Sequence, residues 1–371
     1  MPSLAVFGEY LCHRVGGAEK TTHLLIERLM GNPELRVIPV SGVCEMYART
    51  VERIPYDGLV ELPVVSYHNR FPFLQYALNS RAVSAYFRSC AADLLFANGQ
   101  AAPMAINAFG GPSVYFIHDE MSLNIYRTYE TSAFKKLKFG VRRLLDLPFM
   151  LRYRSENLSA MRKARLVVAN SRYVAGRAKE LLGVDAAVVY PQIDVSALSA
   201  VTLPPLGERP FIMMVGDAEV KGASTFRRIA EAMPGEKFLA VGRGFADETS
   251  GNMTRRGFVR DPLTYYRQAK LVLLPSTWEE GFGMVSVEAS ALGIPTIVSD
   301  RGGLPETVPG ADMVVADYRD PARWVRAIES ALGDYELRSR AARAHAQQFD
   351  GRLQAEALVE RVRDATGVNL G

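Results

Sequence analysis

Cysteine is scarce in this sequence, and its distribution argues against several kinds of protein. Among 371 residues there are 3 cysteines, Cys12, Cys44 and Cys90, and they lie far apart. An odd number of widely spaced cysteines is not the pattern of a disulfide-stabilised secreted domain, and no CxxC or histidine-rich spacing indicates a zinc site. We therefore expect free, buried thiols in a reducing cytosol and no bound metal.

Long apolar runs are also missing. No stretch approaches the ~18 consecutive apolar residues of a membrane-spanning helix. The start of the sequence, MPSLAVFGEY, has neither the basic region nor the apolar length of a signal peptide. We therefore expect a cytoplasmic protein that does not cross a membrane.

Neither sign of charge is in large excess. The 44 Lys and Arg residues against 40 Asp and Glu residues give a net charge of +4. This is modest for the length and argues against a dedicated nucleic-acid-binding protein. Apolar residues make up 48% of the sequence, enough for two sizeable cores, and the length fits two domains better than one.

Short apolar runs alternate with helix-like segments along the whole chain, which predicts parallel sheets covered by helices. Residues 191–210 hold four prolines and little periodicity, so we interpret them as a linker. The linker separates an N-terminal domain, 1–190, from a C-terminal domain, 211–348, and residues 349–371 carry a final helix. The predicted strands are 4–7, 37–40, 94–97, 114–117, 166–169, 188–190, 211–215, 238–241, 271–274 and 296–298.

The most informative stretch is 269–306, AKLVLLPSTWEEGFGMVSVEASALGIPTIVSDRGGLPE. It predicts a buried strand, a loop with two acids and a Gly-Phe-Gly segment, a helix, and a second strand that ends in Gly302-Gly303. Gly293 and Pro295 supply the helix stop. This is a βαβ unit with a ligand-sized loop at the carboxyl end of its first strand.

Glu280 and Glu288 in this unit are separated by seven residues. Glu280 is predicted just before the helix and Glu288 about two turns inside it, so at about 1.5 Å per residue they are roughly 12 Å apart along the axis. The unpaired N–H groups of the helix start between them attract phosphate. A sugar nucleotide has the matching order of sugar hydroxyls, diphosphate and ribose hydroxyls. The alternative is that both acids are solvated carboxylates favoured by the helix dipole.

The segment EGFGMVSVEA resembles the E-x7-E signature of the retaining glycosyltransferases of family four. That family adopts the GT-B fold, an α/β architecture of two Rossmann-like parallel-sheet domains facing a cleft. The similarity extends over nearly the whole chain. Its other matching segments are Gly16-Gly17-Ala18-Glu19 after the first strand, His118-Asp119 after the strand at 114–117, Lys221-Gly222 after the strand at 211–215, and Gly302-Gly303 through Glu306.

The resemblance implies a role for each matching residue. Glu280 contacts the transferred sugar or supports its leaving phosphate, Lys221 holds the diphosphate, and His118 lies on the acceptor side. The residues expected to bind the donor are Gly16, Gly17, Lys221, Phe282, Gly283, Met284, Val285 and Glu288. Taken singly, Lys221 could be a surface lysine in a turn, the paired glycines an ordinary turn, and His118 a satisfied histidine at a strand end.

The implied reaction is transfer from a nucleotide-diphosphate sugar to a glycan or lipid-linked acceptor, in bacterial cell-surface polysaccharide synthesis, without a cofactor or essential metal. The sequence departs from the family at Asp217, where an arginine is common. Lys221 could then act with Arg243 or with backbone amides alone. This departure leaves open a catalytically silent, nucleotide-sugar-binding partner subunit. An epimerase or a phosphorylase of the same fold is disfavoured by the complete signature and by the lack of a cofactor lysine motif.

Residues 133–154 form an unusually basic segment. They contain seven basic residues, Lys135, Lys136, Lys138, Arg142, Arg143, Arg152 and Arg154, and one acid, Asp146. At about 100° per residue, one helical stripe collects Phe134, Leu137, Val141, Leu144 and Leu145. Pro148 should end or kink this helix. Either the stripe packs on the N-terminal domain, or the helix lies on the anionic inner face of a membrane and makes the enzyme peripheral.

Overall fold

Two parallel sheets organise the part of the chain that the computed structural model describes, which is residues 1–9, 11, 17–42, 56–64, 71–120, 122–126, 132–216, 218–242, 244, 246–257 and 261–370, without the side chains of 17–19. The chain divides into a first unit, Met1–Gln192 with Arg352–Gly371, and a second unit, Ile193–Gly351. Each unit contains one of the sheets.

The sheet of the first unit has the strand order β3-β2-β1-β4-β5-β6-β7, and all of its neighbours are parallel. Its strands are β1 (Ser3–Gly8), β2 (Arg36–Gly42), β3 (Val60–Leu62), β4 (Leu94–Asn98), β5 (Ser113–Ile117), β6 (Leu166–Ala169) and β7 (Ala187–Val188). The described helices of this unit are α1 (Gly17–Met30), α2 (Pro72–Ser89), α3 (Ala102–Ala108), α4 (Ala133–Lys163) and α5 (Arg172–Leu182), together with the last helix of the chain.

The sheet of the second unit has the order β10-β11-β9-β8-β12-β13-β14. Only the β10–β11 pair within it is antiparallel among the described strands. Its strands are β8 (Phe211–Val215), β9 (Lys237–Val241), β10 (Glu248–Ser250), β11 (Met253–Arg256), β12 (Ala269–Leu274), β13 (Thr296–Ser299) and β14 (Val314–Val315). Its helices are α6 (Val195–Ser199), α7 (Ala223–Ala232), α8 (Leu263–Tyr266), α9 (Met284–Ala291), α10 (Pro321–Gly333) and α11 (Tyr335–Ala346).

The apolar runs are continuous because each sheet is covered on both faces. Along β1, Ala5 and Phe7 enter one core of the first unit, whereas Leu4 and Val6 enter the other. Alternate residues of a strand point to opposite faces, so a strand between two cores must be apolar at every position. The same division occurs along β8, where Ile212 and Met213 belong to different cores.

The α/β class with two Rossmann-like parallel sheets is confirmed, and each of the predicted apolar runs corresponds to a strand. The strands that the sequence did not indicate are β3, β10, β11 and β14, which have two to four residues. Their shortness explains the omission, since two to four residues cannot show a periodicity. Helix α10 ends at Gly333 and α11 begins at Tyr335, and the Asp320 side chain caps α10 by accepting a hydrogen bond from the N–H of Ala322.

The last helix, α12 (Gly351–Thr366), contributes to the first unit. Its Leu358 and Val362, with Leu370 beyond it, share a core with Leu25 and Leu29 of α1. The side-chain amide of Asn32 also donates to the carbonyl oxygen of Leu370 at 3.0 Å. Residues 193–210, where a linker was predicted, lie in the second unit and include α6.

Helix α4 is 31 residues long and continues through Pro148, so of the two expected effects of the proline, an end of the helix is excluded. Its C-terminal half is held by buried Tyr153 and Met161, among others, and these contacts fix the helix beyond the proline. The packing interpretation of its N-terminal stripe is also wrong, because all five stripe residues are exposed. Within the described residues, no helix has the length and apolar character needed to cross a membrane.

Asp146, the single acid of the basic segment, is buried and ties α4 to the start of α2. Its Oδ2 accepts a hydrogen bond from the N–H of Phe73 at 3.0 Å, and its Oδ1 accepts one from the N–H of Leu74 at 2.8 Å. The first N–H groups of a helix have no partner within that helix. Asp146 therefore acts as a cap supplied by a distant part of the chain.

We expect Asp146→Ala to destabilise α2, because it leaves two amides without acceptors, at a cost of roughly 1–3 kcal/mol. Hydrogen–deuterium exchange of peptides from 71–89 should become correspondingly faster. Asp185→Ala is the matched control, since its carboxylate is 84% exposed and paired only with Lys179. Unchanged exchange in Asp146→Ala would show that the cap is not needed.

Candidate functional site

The loop between β12 and α9 holds the acids that the sequence singled out. Helix α9 begins at Met284, so Glu288 is its fifth residue and Glu280 lies outside the helix. The predicted order of two acids, a Gly-Phe-Gly segment and a helix is present, but Glu288 lies just over one turn inside the helix instead of two. Gly283, directly before the helix, has a φ of 139°. Only glycine adopts this conformation readily, and it keeps the chain out of the helix until Met284.

The carboxylate of Glu280 is held by a lysine and a serine. Lys221 Nζ lies 2.7 Å from Oε1 and 2.8 Å from Oε2, and Ser276 Oγ donates to Oε1 at 2.6 Å. The Glu280 side chain is 13% exposed, whereas that of Lys221 is 42% exposed. The ion pair thus has a shielded acid and an accessible cation, and the ammonium group retains a third N–H donor.

The chain reaches Lys221 through a short turn that is docked on the loop after β12. A 3-10 turn, Glu219–Lys221, follows β8, and Gly222 then has a φ of 88°. A Cβ at Gly222 would lie 2.6 Å from the carbonyl carbon of Pro275. The carbonyl oxygen of Val220 accepts hydrogen bonds from the N–H groups of Thr277 at 2.9 Å and Trp278 at 3.2 Å. These contacts place Lys221 beside Glu280.

Gly302 and Gly303 support Glu280 from the other side. Gly302 has a φ of 62°, and a Cβ there would lie 2.6 Å from the backbone nitrogen of Glu280. The N–H of Gly303 donates to the carbonyl oxygen of Glu280 at 2.7 Å. Glycine is therefore needed at both positions, because the backbone of Glu280 occupies the space of a side chain at Gly302 and the backbone of Gly281 occupies it at Gly303.

Glu288 lies on α9 and is 9% exposed. Its Oε2 accepts a hydrogen bond from the hydroxyl of Tyr266 at 3.1 Å. Burial raises the pKa of Tyr266 well above its usual value, and the neighbouring carboxylate raises it further. The phenol therefore stays protonated at neutral and alkaline pH, and it fixes the orientation of Glu288 as a hydrogen-bond donor.

The other residues at the start of α9 that were expected to bind the donor differ in how exposed they are. Met284 and Val285 are partly exposed, so they can contact a ligand. The side chain of Phe282 is 4% exposed and packs against Phe349 with a ring-centroid separation of 5.3 Å. Phe282 is thus a core residue through its ring, and any contact with a donor involves its backbone.

His118 lies in the first unit, directly after β5, and is partly exposed. Its ring meets the edge of Phe116 at 5.4 Å between centroids, and its Nδ1 is buried without a hydrogen-bond partner in the described structure. Asn170, after β6, donates to the carbonyl oxygen of His118 at 3.3 Å. Gly17 is the first residue of α1. Gly16, Asp217 and Arg243 lie outside the described residues.

Three residues of the site in the second unit, described next, were not identified from the sequence. Ser276 follows a strand and is chemically suitable, but serines in loops are common. Tyr266 precedes β12, where nothing in the pattern points toward Glu288. Arg301 pairs with Glu279 and lies over the ring of Tyr318 at 5.3 Å. Arg301 directly precedes the Gly302-Gly303 pair, and this position in the sequence could have identified it as a residue of the site. No group of three or more potential metal-ligating side chains occurs among the described residues.

Two Rossmann-like parallel-sheet units that follow one another in the chain are the architecture of the GT-B fold. Residues 15–197 match the family model Glycosyltransferase Family 4, and residues 248–348 match the model Glycosyl transferases group 1. The protein is therefore a GT-B glycosyltransferase of the family-four type.

Similar proteins agree with this class. A D-inositol 3-phosphate glycosyltransferase of Jonesia denitrificans is 41% identical over 115 residues, which are 29% of this chain and 27% of that protein. The chain spans about a quarter of the length of this relative and of two further D-inositol 3-phosphate glycosyltransferases, both from Corynebacterium species. Sucrose-phosphate synthase from Thermosynechococcus elongatus has a similar structure, with a TM-score of 0.75, 16% identity, and coverage of 98% of this chain and 99% of that one. Anabaena HepE in complex with UDP-glucose has a TM-score of 0.65, 17% identity, and coverage of 98% and 99%.

We expect Gly302→Ala to destabilise the second unit by at least about 2 kcal/mol, because the left-handed backbone and the collision with Glu280 both oppose a Cβ. Urea unfolding followed by tryptophan fluorescence reports on this unit alone, since both tryptophans, Trp278 and Trp324, lie within it. Gly235→Ala is the matched control, because no atom lies within 4 Å of a Cβ there. Equal midpoints for both variants would contradict the tight packing of the Gly302 loop against Glu280.

Proposed function

We propose that the protein transfers a sugar from a nucleotide-diphosphate donor to a glycan or lipid-linked acceptor, with retention at the anomeric carbon. The observation that carries this proposal is the Lys221–Glu280 ion pair at the ends of β8 and β12, next to the start of α9. A cation, a carboxylate and a helix N-terminus at one place match the diphosphate and the sugar hydroxyls of such a donor.

In this proposal the diphosphate binds at the start of α9, where the helix dipole and backbone amides favour negative charge. Lys221 keeps two hydrogen bonds to Glu280 and directs its third N–H toward a phosphate oxygen. Glu280 accepts hydroxyl protons of the transferred sugar. Glu288, held by Tyr266, accepts hydroxyl protons of the ribose.

The chemistry is a displacement on one face of the sugar. The bond between the anomeric carbon and the phosphate oxygen breaks while the acceptor oxygen forms a bond to the same face of that carbon. The acceptor proton passes to the leaving diphosphate, so no enzyme nucleophile is needed. Lys221 stabilises the negative charge that develops on the leaving group. His118, in the first unit, is proposed to contact the acceptor or the sugar.

The biological role that we propose is cell-surface polysaccharide synthesis in a bacterium, supported by the resemblance to family four. The acceptor of the curated relatives is not carried over, since the best match covers 29% of this chain. Measured turnover distinguishes this enzyme from a silent nucleotide-sugar-binding subunit, the alternative raised by Asp217. Thermal-shift measurements with UDP-, GDP-, ADP- and dTDP-sugars would identify the donor.

With that donor, we expect Glu280→Gln to lower kcat about a hundredfold or more, the loss typical of removing one preorganised polar group. The amide keeps the size of the carboxylate but weakens both the lysine contact and the sugar contact. Glu279→Gln is the neighbouring control, because Glu279 pairs with Arg301 instead, and it should lose far less. Wild-type turnover by a folded Glu280→Gln variant would refute the assignment.

We also expect turnover to persist in excess EDTA. The proposed partners of the diphosphate are a lysine and helix amides, which can supply the charge stabilisation that a divalent cation would otherwise give. The measurement compares initial rates after EDTA treatment and after addition of Mg²⁺ or Mn²⁺. A loss of activity that either cation restores would contradict this part of the mechanism.

A further inference from the structure

The N-terminal half of α4 presents an apolar stripe that nothing in the described structure covers. The stripe consists of five residues whose side chains are between 52% and 72% exposed: Phe134, Leu137, Val141, Leu144 and Leu145. Single exposed apolar side chains are ordinary, but a contiguous set of this size marks an interaction surface. The stripe extends over 12 residues, which corresponds to roughly 18 Å of helix.

The stripe and the buried side of the same helix face in different directions. The buried residues of α4 are Asp146, Met150, Tyr153, Asn157, Ala160 and Met161. At about 100° per residue, the centre of the stripe lies roughly 160° around the helix from the centre of these residues. The stripe therefore points away from the core to which the helix is fixed.

The polar side of the same helix segment is basic. Lys138 borders the stripe, Arg142 and Lys135 follow on that side at roughly 110–130° from its centre, and Lys136 and Arg143 lie roughly 130–150° from its centre on the other side. The one acid of the segment, Asp146, is buried and engaged with the start of α2. Long basic side chains can cover apolar surface with their stems while their charges reach toward an anionic layer. The segment thus combines an exposed apolar stripe with a strongly basic polar side.

We propose that this stripe docks the protein on an anionic membrane surface, with Phe134 and the leucines in the outer acyl region and the basic residues at the lipid phosphates. An interfacial helix has this pattern of an apolar face with Lys and Arg beside it. A second copy of the chain is less suited to the stripe, because pairing two such faces would bring two sets of like charges together. Anionic lipids supply the complementary charge.

The docking helix is bonded to the loop that follows His118. Arg143 Nη1 donates to the carbonyl oxygen of Tyr126 at 2.8 Å. Farther along the helix, the Asn157 amide donates to the carbonyl oxygen of Ser122 at 3.0 Å and to Oδ1 of Asn124 at 2.9 Å. If the proposed function holds, a helix lying on the membrane therefore brings the acceptor-side loop to the headgroup layer, and the acceptor is a lipid-linked sugar.

The test is co-sedimentation of the full chain with phosphatidylcholine vesicles, with and without 30 mol% phosphatidylglycerol. Two variants test the apolar stripe and the basic residues separately. The first, Leu137→Ser with Leu144→Ser, removes apolar area. The second removes four positive charges and carries Lys135→Gln, Lys136→Gln, Lys138→Gln and Arg142→Gln. The charge-matched control carries Arg81→Gln, Arg88→Gln, Arg162→Gln and Arg165→Gln in the same unit. Arg143 stays unchanged because it contacts Tyr126.

We expect the wild type and the control to prefer anionic vesicles at least tenfold, and both α4 variants to lose that preference. Added salt should weaken the wild-type binding, because exposed charges are screened within about 8 Å at physiological ionic strength. Vesicle binding needs no turnover, so this result is independent of the proposed reaction. Donor binding by thermal shift should be unchanged in the α4 variants, which separates a docking defect from damage to the donor site.

Three outcomes would overturn the proposal. The first is no preference of the wild type for anionic vesicles. The second is an equal loss of binding in the charge-matched control, which would make the effect one of total charge. The third is a wild-type dimer in analytical ultracentrifugation that Leu137→Ser with Leu144→Ser converts to a monomer without any vesicle binding. That third outcome would assign the stripe to a second copy of the chain.

Discussion

The contact between Lys221 and Glu280 is the interaction on which the arrangement of the second unit depends. It joins the loops after β8 and β12, and a third loop, after β13, closes on the same glutamate through Gly302 and Gly303. A shielded carboxylate is stable only beside a compensating charge or hydrogen-bond donors, and Lys221 and Ser276 supply both. Gly222, Gly283 and Gly302 have positive φ values, and a side chain at any of them would collide with a neighbouring loop, so glycine is needed at all three positions.

Much of this arrangement could be predicted from the sequence, because its causes are local. Apolar runs bounded by glycine and proline predicted strands of both sheets, and the end of α9 followed from Gly293 and Pro295. The acids, the lysine and the Gly-Gly pair could be named because each follows a strand. Ligand sites in open parallel sheets form at that edge.

The parts that could not be predicted depend on contacts between residues far apart in the chain. Tyr266 reaches Glu288 across 22 positions and Asp146 reaches Phe73 across 73, and no periodicity reports such pairs. The two backbone hydrogen bonds from Thr277 and Trp278 to Val220, which dock the Lys221 turn, likewise join residues more than 50 positions apart. The exposure of the α4 stripe is a third case, since an apolar stripe looks the same in sequence whether the fold covers it or leaves it open.

The return of α12 to the first unit has a consequence for the order in which the protein can fold during its synthesis. The core that contains Leu25 and Leu29 also contains Leu358, Val362 and Leu370, which are synthesised after the whole second unit. The second unit, Ile193–Gly351, is a continuous segment, and its ends are joined by the pairing of Ile193 with Asp350. Domains generally fold as units during translation. The second unit can therefore be complete while the first, although made earlier, still waits for its final helix.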